Sequence, residues 1–134
     1  MSFPHATWQR ASGATACDVA FADGQSVASD LEPAVGGKGG PTPHDLLDAA
    51  LAACTTLTLQ LYVQRKQMAV ARIHVEVTHA QQDGRHVMSR TVHVTGTLSE
   101  ADRASLQRIA EACPVHKTLT AGSTVVTNTE VAAA

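Results

Sequence analysis

Apolar and polar positions repeat with two different periods along this chain, one typical of helices and one of strands. Short alternating segments with turn signals fill residues 6–31, and a helical period runs through residues 43–67. Residues 73–95 alternate again, residues 99–113 have a helical period, and residues 124–131 are rich in Val and Thr. This order of strands, long helix, hairpin, helix and last strand predicts an α+β fold with a mainly antiparallel sheet.

The long helix has a clear start but no clear buried side. Thr42 and Asp45 have the spacing of a capping box, and Pro43 suits the first helical position. One face carries Leu47, Ala50, Leu51, Cys54, Leu57, Thr58 and Leu61. Alanines occupy the opposite side, so the helix is apolar or small nearly all round, which predicts that it is buried.

The segments after this helix carry three further predictions. Residues 81–85 contain turn formers, which predicts a hairpin with a longer loop. Arg90 falls on the same strand face as Val92 and is therefore expected to point inward. Ser99 and Asp102 have capping-box spacing at the start of the second helix.

Composition narrows the class of protein. A chain of 134 residues suits one domain, with N-terminal strands in residues 1–35 and a helix and hairpin core in residues 42–134. The net charge is −2 without a basic block, so we expect no nucleic-acid partner. The apolar runs are shorter than a membrane span and the start lacks a signal peptide. We therefore expect a cytoplasmic protein without a membrane partner.

Three cysteines carry the candidate chemistry. Cys17 lies on a strand face and is expected in the core, whereas Cys54 and Cys113 lie on apolar faces of two different helices. In a reducing compartment such cysteines serve packing, metal binding or redox chemistry. Cys113 and His116 have the spacing of half a zinc site, but no second half follows, so we expect no metal.

A reactive Cys54 needs a nearby cation or hydrogen-bond donor, because burial among apolar groups disfavours the thiolate. Arg90 is the first candidate for this cation and Arg10 the second. The glycines of residues 36–40 do not match a phosphate-binding loop and predict a close approach of the backbone to another element.

Two segments resemble the cysteine motifs of the OsmC/Ohr family. The first is PTPHDLLDAALAACT, from Pro41 to Thr55, and the second is CPVHKTL, from Cys113 to Leu119. A Gly-x-Leu at Gly96 also fits, and the resemblance covers roughly residues 30 to 130. It is closer to the broad OsmC-like branch than to the organic-hydroperoxide-resistance branch.

The resemblance implies an intertwined homodimer with active sites at the subunit interface and thiol peroxidase activity on organic hydroperoxides. Cys54 would be the peroxidatic cysteine and Cys113 the resolving one. A dithiol of the lipoyl type would be the reductant, with no bound cofactor. Family peroxidases hold an arginine against the thiol with a glutamate. At that position this chain has His44, and Asp45 follows, so we expect Asp45 to orient Arg90.

A second class of function stays open beside the enzyme. A non-catalytic dimeric protein of the same family could bind an apolar small ligand at its subunit interface, with unreactive cysteines. The reactivity of Cys54 distinguishes the two hypotheses.

Overall fold

Residues 3–133 are described by a computed structural model, which confirms an α+β fold with antiparallel sheets and three α-helices in that range. Unit 1 of the chain comprises Met1–Ala50 and Val77–Ser89, and unit 2 comprises Leu51–Glu76 and Arg90–Ala134. The elements, in chain order, are β1 His5–Thr7, β2 Cys17–Ala20, β3 Ser26–Ser29, α1 Pro43–Arg65, β4 Val70–Gln82, β5 Arg85–Gly96, α2 Glu100–Glu111 and α3 Pro114–Ala121.

Helix α1 starts as predicted. The Asp45 carboxylate accepts from the Thr42 N–H at 2.9 Å, and the Thr42 hydroxyl accepts from the Asp45 N–H at 3.2 Å. These two bonds satisfy donors that a helix start leaves unpaired, so the capping box is confirmed.

The prediction that α1 is buried nearly all round is wrong for the single chain. Three of its leucines are exposed, by 42% at Leu47, 61% at Leu57 and 58% at Leu61. The buried positions are three or four residues apart and are Asp48, Leu51, Thr55, Leu59 and Val63. A helix that is apolar or small on every side does not show which side packs against the rest of the chain.

Helix α1 also meets the length and composition of a membrane-spanning helix, although the apolar runs were predicted to be too short for one. This is weak evidence, because the core helix of a soluble protein meets the same criterion. Only 22% of the apolar window is buried in the single chain.

Strands β4 and β5 form a hairpin with a shorter connection than predicted. The loop is the pair Asp83–Gly84, and both residues have positive φ, 52° and 76°. Two such residues give the turn whose twist matches that of the strands, and Asp and Gly tolerate this conformation. Arg90 and Val92 are half-buried while Thr91 between them is exposed, so the predicted phase of Arg90 is confirmed.

The end of the chain differs from the prediction in two ways. The Ser99–Asp102 capping box of α2 is confirmed, but α2 ends at Glu111 and Cys113 is the N-cap of α3, not part of the α2 face. Pro114 explains this, because proline favours the first turn of a helix. The predicted last strand, residues 124–131, is absent from both described sheets, and Val126 there is 91% exposed.

Unit 1 is organised around the glycine-rich loop and the three-stranded antiparallel sheet, in the order β1-β2-β3. The buried Asp30 carboxylate accepts from the backbone N–H groups of Lys38 and Gly39 at 2.8 and 3.2 Å. A side chain on Gly40 would come within 2.8 Å of the Ala28 carbonyl oxygen. The glycines therefore serve the predicted close approach, and Asp30 occupies the amide groups that a phosphate would need.

Unit 2 has an apolar core. Its buried members are Leu59, Val63, Leu106 and Ala110, with Val92 and Val94 of β5 packed against them. This core joins α1, α2 and the base of the hairpin, and thereby positions α1, which carries Cys54, and the end of α2, which Cys113 follows.

Candidate active site

In unit 2 the Cys54 thiol lies close enough to Cys113 to contribute to lowering the pKa of the Cys113 thiol. Cys54 is half-buried on α1, with its Sγ 3.9 Å from the Thr58 hydroxyl. Cys113 is fully buried, and its Sγ accepts from the His116 N–H at 3.4 Å. One thiol is therefore accessible, and the other lies behind it at a helix N-terminus.

The environment of Cys113 favours its thiolate. Burial by itself raises the pKa of the Cys113 thiol, but hydrogen bonds outweigh it and hold the pKa below the ordinary value. The His116 N–H makes the largest of these contributions, followed by the Cys54 thiol and the Thr55 hydroxyl. A thiolate that accepts from backbone N–H groups at a helix start is stabilised by the same physics as a capping carboxylate.

Arg90 reaches this pair of thiols through two neutral side chains. Its Nη1 donates to the Thr55 hydroxyl oxygen at 3.0 Å, and its Nη2 lies 3.1 Å from His116 Nδ1. Arginine only donates, so His116 Nδ1 is the acceptor and the ring carries its proton on Nε2. The Thr55 hydroxyl donates chiefly to the Leu51 carbonyl at 2.7 Å, with Cys113 Sγ farther away at 3.8 Å.

The remaining predicted site residues have other partners. Asp45 is engaged in the α1 cap, where the Thr42 N–H lowers the pKa of its carboxyl. The two hydrogen bonds of Arg90 described above both stay inside unit 2. Arg10 lies in unit 1 with its guanidinium 5.7 Å from the centre of the Trp8 ring. The roles expected for Asp45 and Arg90 beside Cys54 stay predictions.

Sequence reasoning missed Thr55 and His116 as members of the site. Thr55 directly follows Cys54 and bonds back along the helix to the Leu51 carbonyl. His116 was considered only as half a zinc site, although the same three-residue spacing places its N–H against the Cys113 sulfur. A cysteine followed by proline was the available signal, because that pair starts a helix.

An apolar cavity of about 330 Å³ lies beside the two cysteines in unit 2. Its lining residues are Thr58, Leu61, Tyr62, Arg65, Ile109, Ala112 and Pro114. Thr58 touches Cys54, and Ala112 and Pro114 flank Cys113 in the chain. The lining is mostly apolar, so an apolar group would fit there better than a charged one.

A separate group of side chains in unit 1 has the character of metal ligands. Asp48, His79 and His86 each offer one ligand atom, and these atoms lie within 4.8 Å of one another. His79 Nδ1 lies 2.5 Å from an Asp48 carboxylate oxygen, and this bond raises the pKa of the His79 ring. In unit 2, by contrast, the His116 ring faces the Arg90 cation, which disfavours a metal there.

Comparison with known proteins agrees with this fold. A family model described as OsmC-like protein matches residues 36–128. No curated protein sequence gives a significant match. An OsmC-like protein from Mycoplasma pneumoniae is 19% identical, with 90% of this chain and 88% of that chain covered and a TM-score of 0.72.

Two further similar structures have names that refer to organic hydroperoxides. An organic hydroperoxide resistance protein from Elizabethkingia anophelis is 19% identical, with 87% and 86% covered and a TM-score of 0.64. The organic hydroperoxide resistance protein OhrB of Bacillus subtilis is 23% identical, with 87% and 90% covered and a TM-score of 0.56. At these identities the structures show the fold, and the family model covers more than half of the sequence. The chain therefore belongs to the OsmC-like protein family.

Proposed function

We propose that this protein is a thiol peroxidase that reduces organic hydroperoxides. The observation that carries the proposal is the pair of thiols in unit 2: accessible Cys54 within reach of buried Cys113, beside an apolar cavity. The names of two structurally similar proteins, organic hydroperoxide resistance proteins, agree with this substrate class.

In the first step the Cys54 sulfur attacks the distal oxygen of the hydroperoxide. Cys113 lies near Cys54, and its lowered pKa favours the thiolate form, which can take the Cys54 proton as the attack proceeds. The O–O bond breaks, Cys54 becomes a sulfenic acid, and the departing alkoxide takes up a proton to leave as the alcohol. Cys54 suits this role because it is the accessible thiol of the pair.

In the second step Cys113 attacks the sulfur of the Cys54 sulfenic acid. The new S–S bond displaces hydroxide, which leaves as water after taking up a proton. The lowered pKa of Cys113 favours this step, because the thiolate is the nucleophile in disulfide formation. A dithiol reductant, of the lipoyl type expected from the family, then returns both thiols by exchange and is itself oxidised to a disulfide.

Mass spectrometry and peroxide consumption test this scheme together. After treatment with an organic hydroperoxide, the wild type should lose two hydrogens by forming the Cys54–Cys113 disulfide. Cys54→Ser should abolish turnover, because a hydroxyl is not ionised near neutral pH. Cys113→Ser should keep the first attack and accumulate oxygen on Cys54.

Cys17→Ser is the matched control, since Cys17 is also half-buried but lies on β2 in unit 1. This variant should turn over hydroperoxide as the wild type does. If the wild type forms no Cys54–Cys113 bond and consumes hydroperoxide no faster than free cysteine, the enzyme proposal is wrong. The apolar cavity would then support the binding of an apolar ligand without chemistry.

The homodimer expected from the family is part of the same proposal. Leu57 and Leu61 lie on α1 with 61% and 58% of their surface exposed, and leucines so placed favour burial against a partner. Light scattering at micromolar concentration should therefore give twice the chain mass of 14.0 kDa. Leu57→Lys should shift the protein toward the monomer, whereas a wild type that scatters as a monomer would contradict the dimer.

A further inference from the structure

Unit 1 contains a side-chain cluster that takes no part in the thiol chemistry. Helix α1 contributes Asp48, and the outer part of the hairpin contributes His79 from β4 and His86 from β5. Their potential ligand atoms lie within 4.8 Å of one another. A tetrahedral zinc ion with bonds of about 2.0–2.2 Å keeps its ligand atoms roughly 3.4 Å apart, so small side-chain rotations close this cluster around a cation.

Within residues 3–133, two of the cluster's polar atoms are buried without a hydrogen-bond partner. They are Asp48 Oδ1 and His86 Nε2. Asp48 as a whole is only 9% exposed. Buried polar atoms almost always have a partner, and each exception requires an explanation such as an absent ion. A cation bound between these atoms would satisfy both at once.

We propose that Asp48, His79 and His86 bind a divalent transition metal ion of the zinc class. Two imidazoles and one carboxylate are a donor set that zinc and its neighbours prefer, whereas calcium and magnesium prefer oxygen ligands. Three protein ligands leave one coordination position for water or another ligand. The metal replaces the proton that Asp48 and His79 share across their hydrogen bond, and that proton is released to solvent.

Neighbouring side chains are placed to orient the His86 ring. The Gln81 side-chain nitrogen Nε2 lies 3.3 Å from His86 Nδ1. Rotation of the amide group by 180° places its oxygen there instead, so that Gln81 accepts from Nδ1–H and the lone pair of His86 Nε2 is free for the metal. The His44 ring stacks on His86 with centroids 4.8 Å apart, one helical turn before Asp48 on α1. Such contacts fix the tautomer and orientation of a ligating histidine.

The chain provides an internal comparison for this cluster. In unit 2, His74 and His93 lie 3.2 and 3.6 Å from the two Glu76 carboxylate oxygens. These side chains are 45%, 53% and 61% exposed. These three side chains have the same residue types as the proposed site, but they contact one another and are hydrated by solvent. We therefore expect no comparable affinity for a metal ion there.

Cobalt(II) is the probe for the test, because its visible spectrum reports both geometry and ligand type. Titration of the reduced, metal-stripped full-length protein should show one tetrahedral cobalt per chain, displaced by zinc and not by magnesium. Ligation by nitrogen and oxygen gives no thiolate-to-cobalt charge-transfer band, which excludes the cysteines as the site. His86→Gln should weaken binding by about 10- to 100-fold or more.

His93→Gln is the matched control and should bind cobalt as the wild type does. His86→Gln is preferred to a change at Asp48 because His86 Nε2 has no partner to lose. Zinc should also raise the melting temperature of the wild type and of His93→Gln, but not of His86→Gln. Equal cobalt affinity of His86→Gln and wild type, or a charge-transfer band from thiolate, would overturn the proposal. An equal loss of cobalt affinity in His86→Gln and in His93→Gln would also overturn the proposal.

Discussion

The two units of this chain bury opposite kinds of side chain. Within residues 3–133, every buried hydrophobic residue belongs to unit 2, whereas four of the five buried polar residues belong to unit 1. The buried hydrophobic residues are Leu51, Leu59, Val63, Leu106, Ala110 and Cys113, and the buried polar residues are Ser29, Asp30, Thr42, Asp48 and Thr55. Unit 2 thus depends on apolar burial, while unit 1 depends on hydrogen bonds.

Because of this difference, a buried polar side chain has a different role in each unit. In unit 2 the apolar core leaves one polar exception, Thr55, and it contacts the site residues Arg90 and Cys113. In unit 1 the Asp30 carboxylate is fully satisfied and holds a loop, whereas Asp48 has an unpaired oxygen. A satisfied network stabilises a fold, and an incomplete one is open to an outside ligand.

Thr55→Val tests the role of Thr55, the buried polar residue of unit 2. We expect it to have a larger effect than the Asp30→Asn substitution in unit 1. The substitution keeps the shape of the side chain but removes the hydroxyl that accepts from Arg90 Nη1 at 3.0 Å. Leaving this half-buried charged donor without its partner should lower the free energy of unfolding by about 1–3 kcal/mol. It also removes one of the donors that lower the pKa of Cys113, so that pKa should rise toward its ordinary value.

The measurements for Thr55→Val are denaturant unfolding and the pH profile of Cys54–Cys113 disulfide formation after peroxide treatment. Because the pKa of Cys113 rises, the pH of half-maximal rate should move upward. Thr56→Val is the control, since the Thr56 hydroxyl bonds back to the Ala52 carbonyl at 2.8 Å in the same way but touches neither thiol. A pH profile that moves equally in both variants would remove Thr55 from the site.

Local signals in the sequence predicted the local parts of this structure. Both predicted capping boxes are confirmed, since each depends on residues only three positions apart. The strand alternation that predicts an inward-facing Arg90 is also confirmed. The burial of α1 on all sides was wrong for the single chain, because an apolar composition on every side does not show which side finds a packing partner. The strand at residues 124–131 was wrong because a strand also needs a partner edge, which neither described sheet gives it.

The thiol site and the Asp48–His79–His86 cluster could be predicted only in part, because local sequence signals do not show contacts between distant residues. Family motifs pointed to Cys54 and Cys113, but the Arg90–Thr55 contact joins residues 35 positions apart in the chain. The contact between His79 and Asp48 joins residues 31 positions apart. The pattern of apolar and polar residues does not predict such long-range contacts, because they depend on how separate helices and strands pack.

Asp30→Asn tests whether a satisfied carboxylate stabilises unit 1, and its effect should depend on pH. Hydrogen bonds, first from the Thr15 hydroxyl at 2.7 Å and then from the Lys38 N–H, lower the pKa of Asp30 from 3.8 to about 2. A pKa that is lower in the folded chain means that the ionised form stabilises the fold. This contribution is fully present above the unfolded value of 3.8 and is lost as the pH falls toward about 2.

The wild type should therefore be more stable than Asp30→Asn near neutral pH, and the difference in unfolding free energy should shrink between pH 4 and 2. Asp18→Asn, on an exposed position of β2, is the control and should follow the wild-type curve. A difference between wild type and Asp30→Asn that does not change with pH would show that the charge on Asp30 does not stabilise the glycine-rich loop.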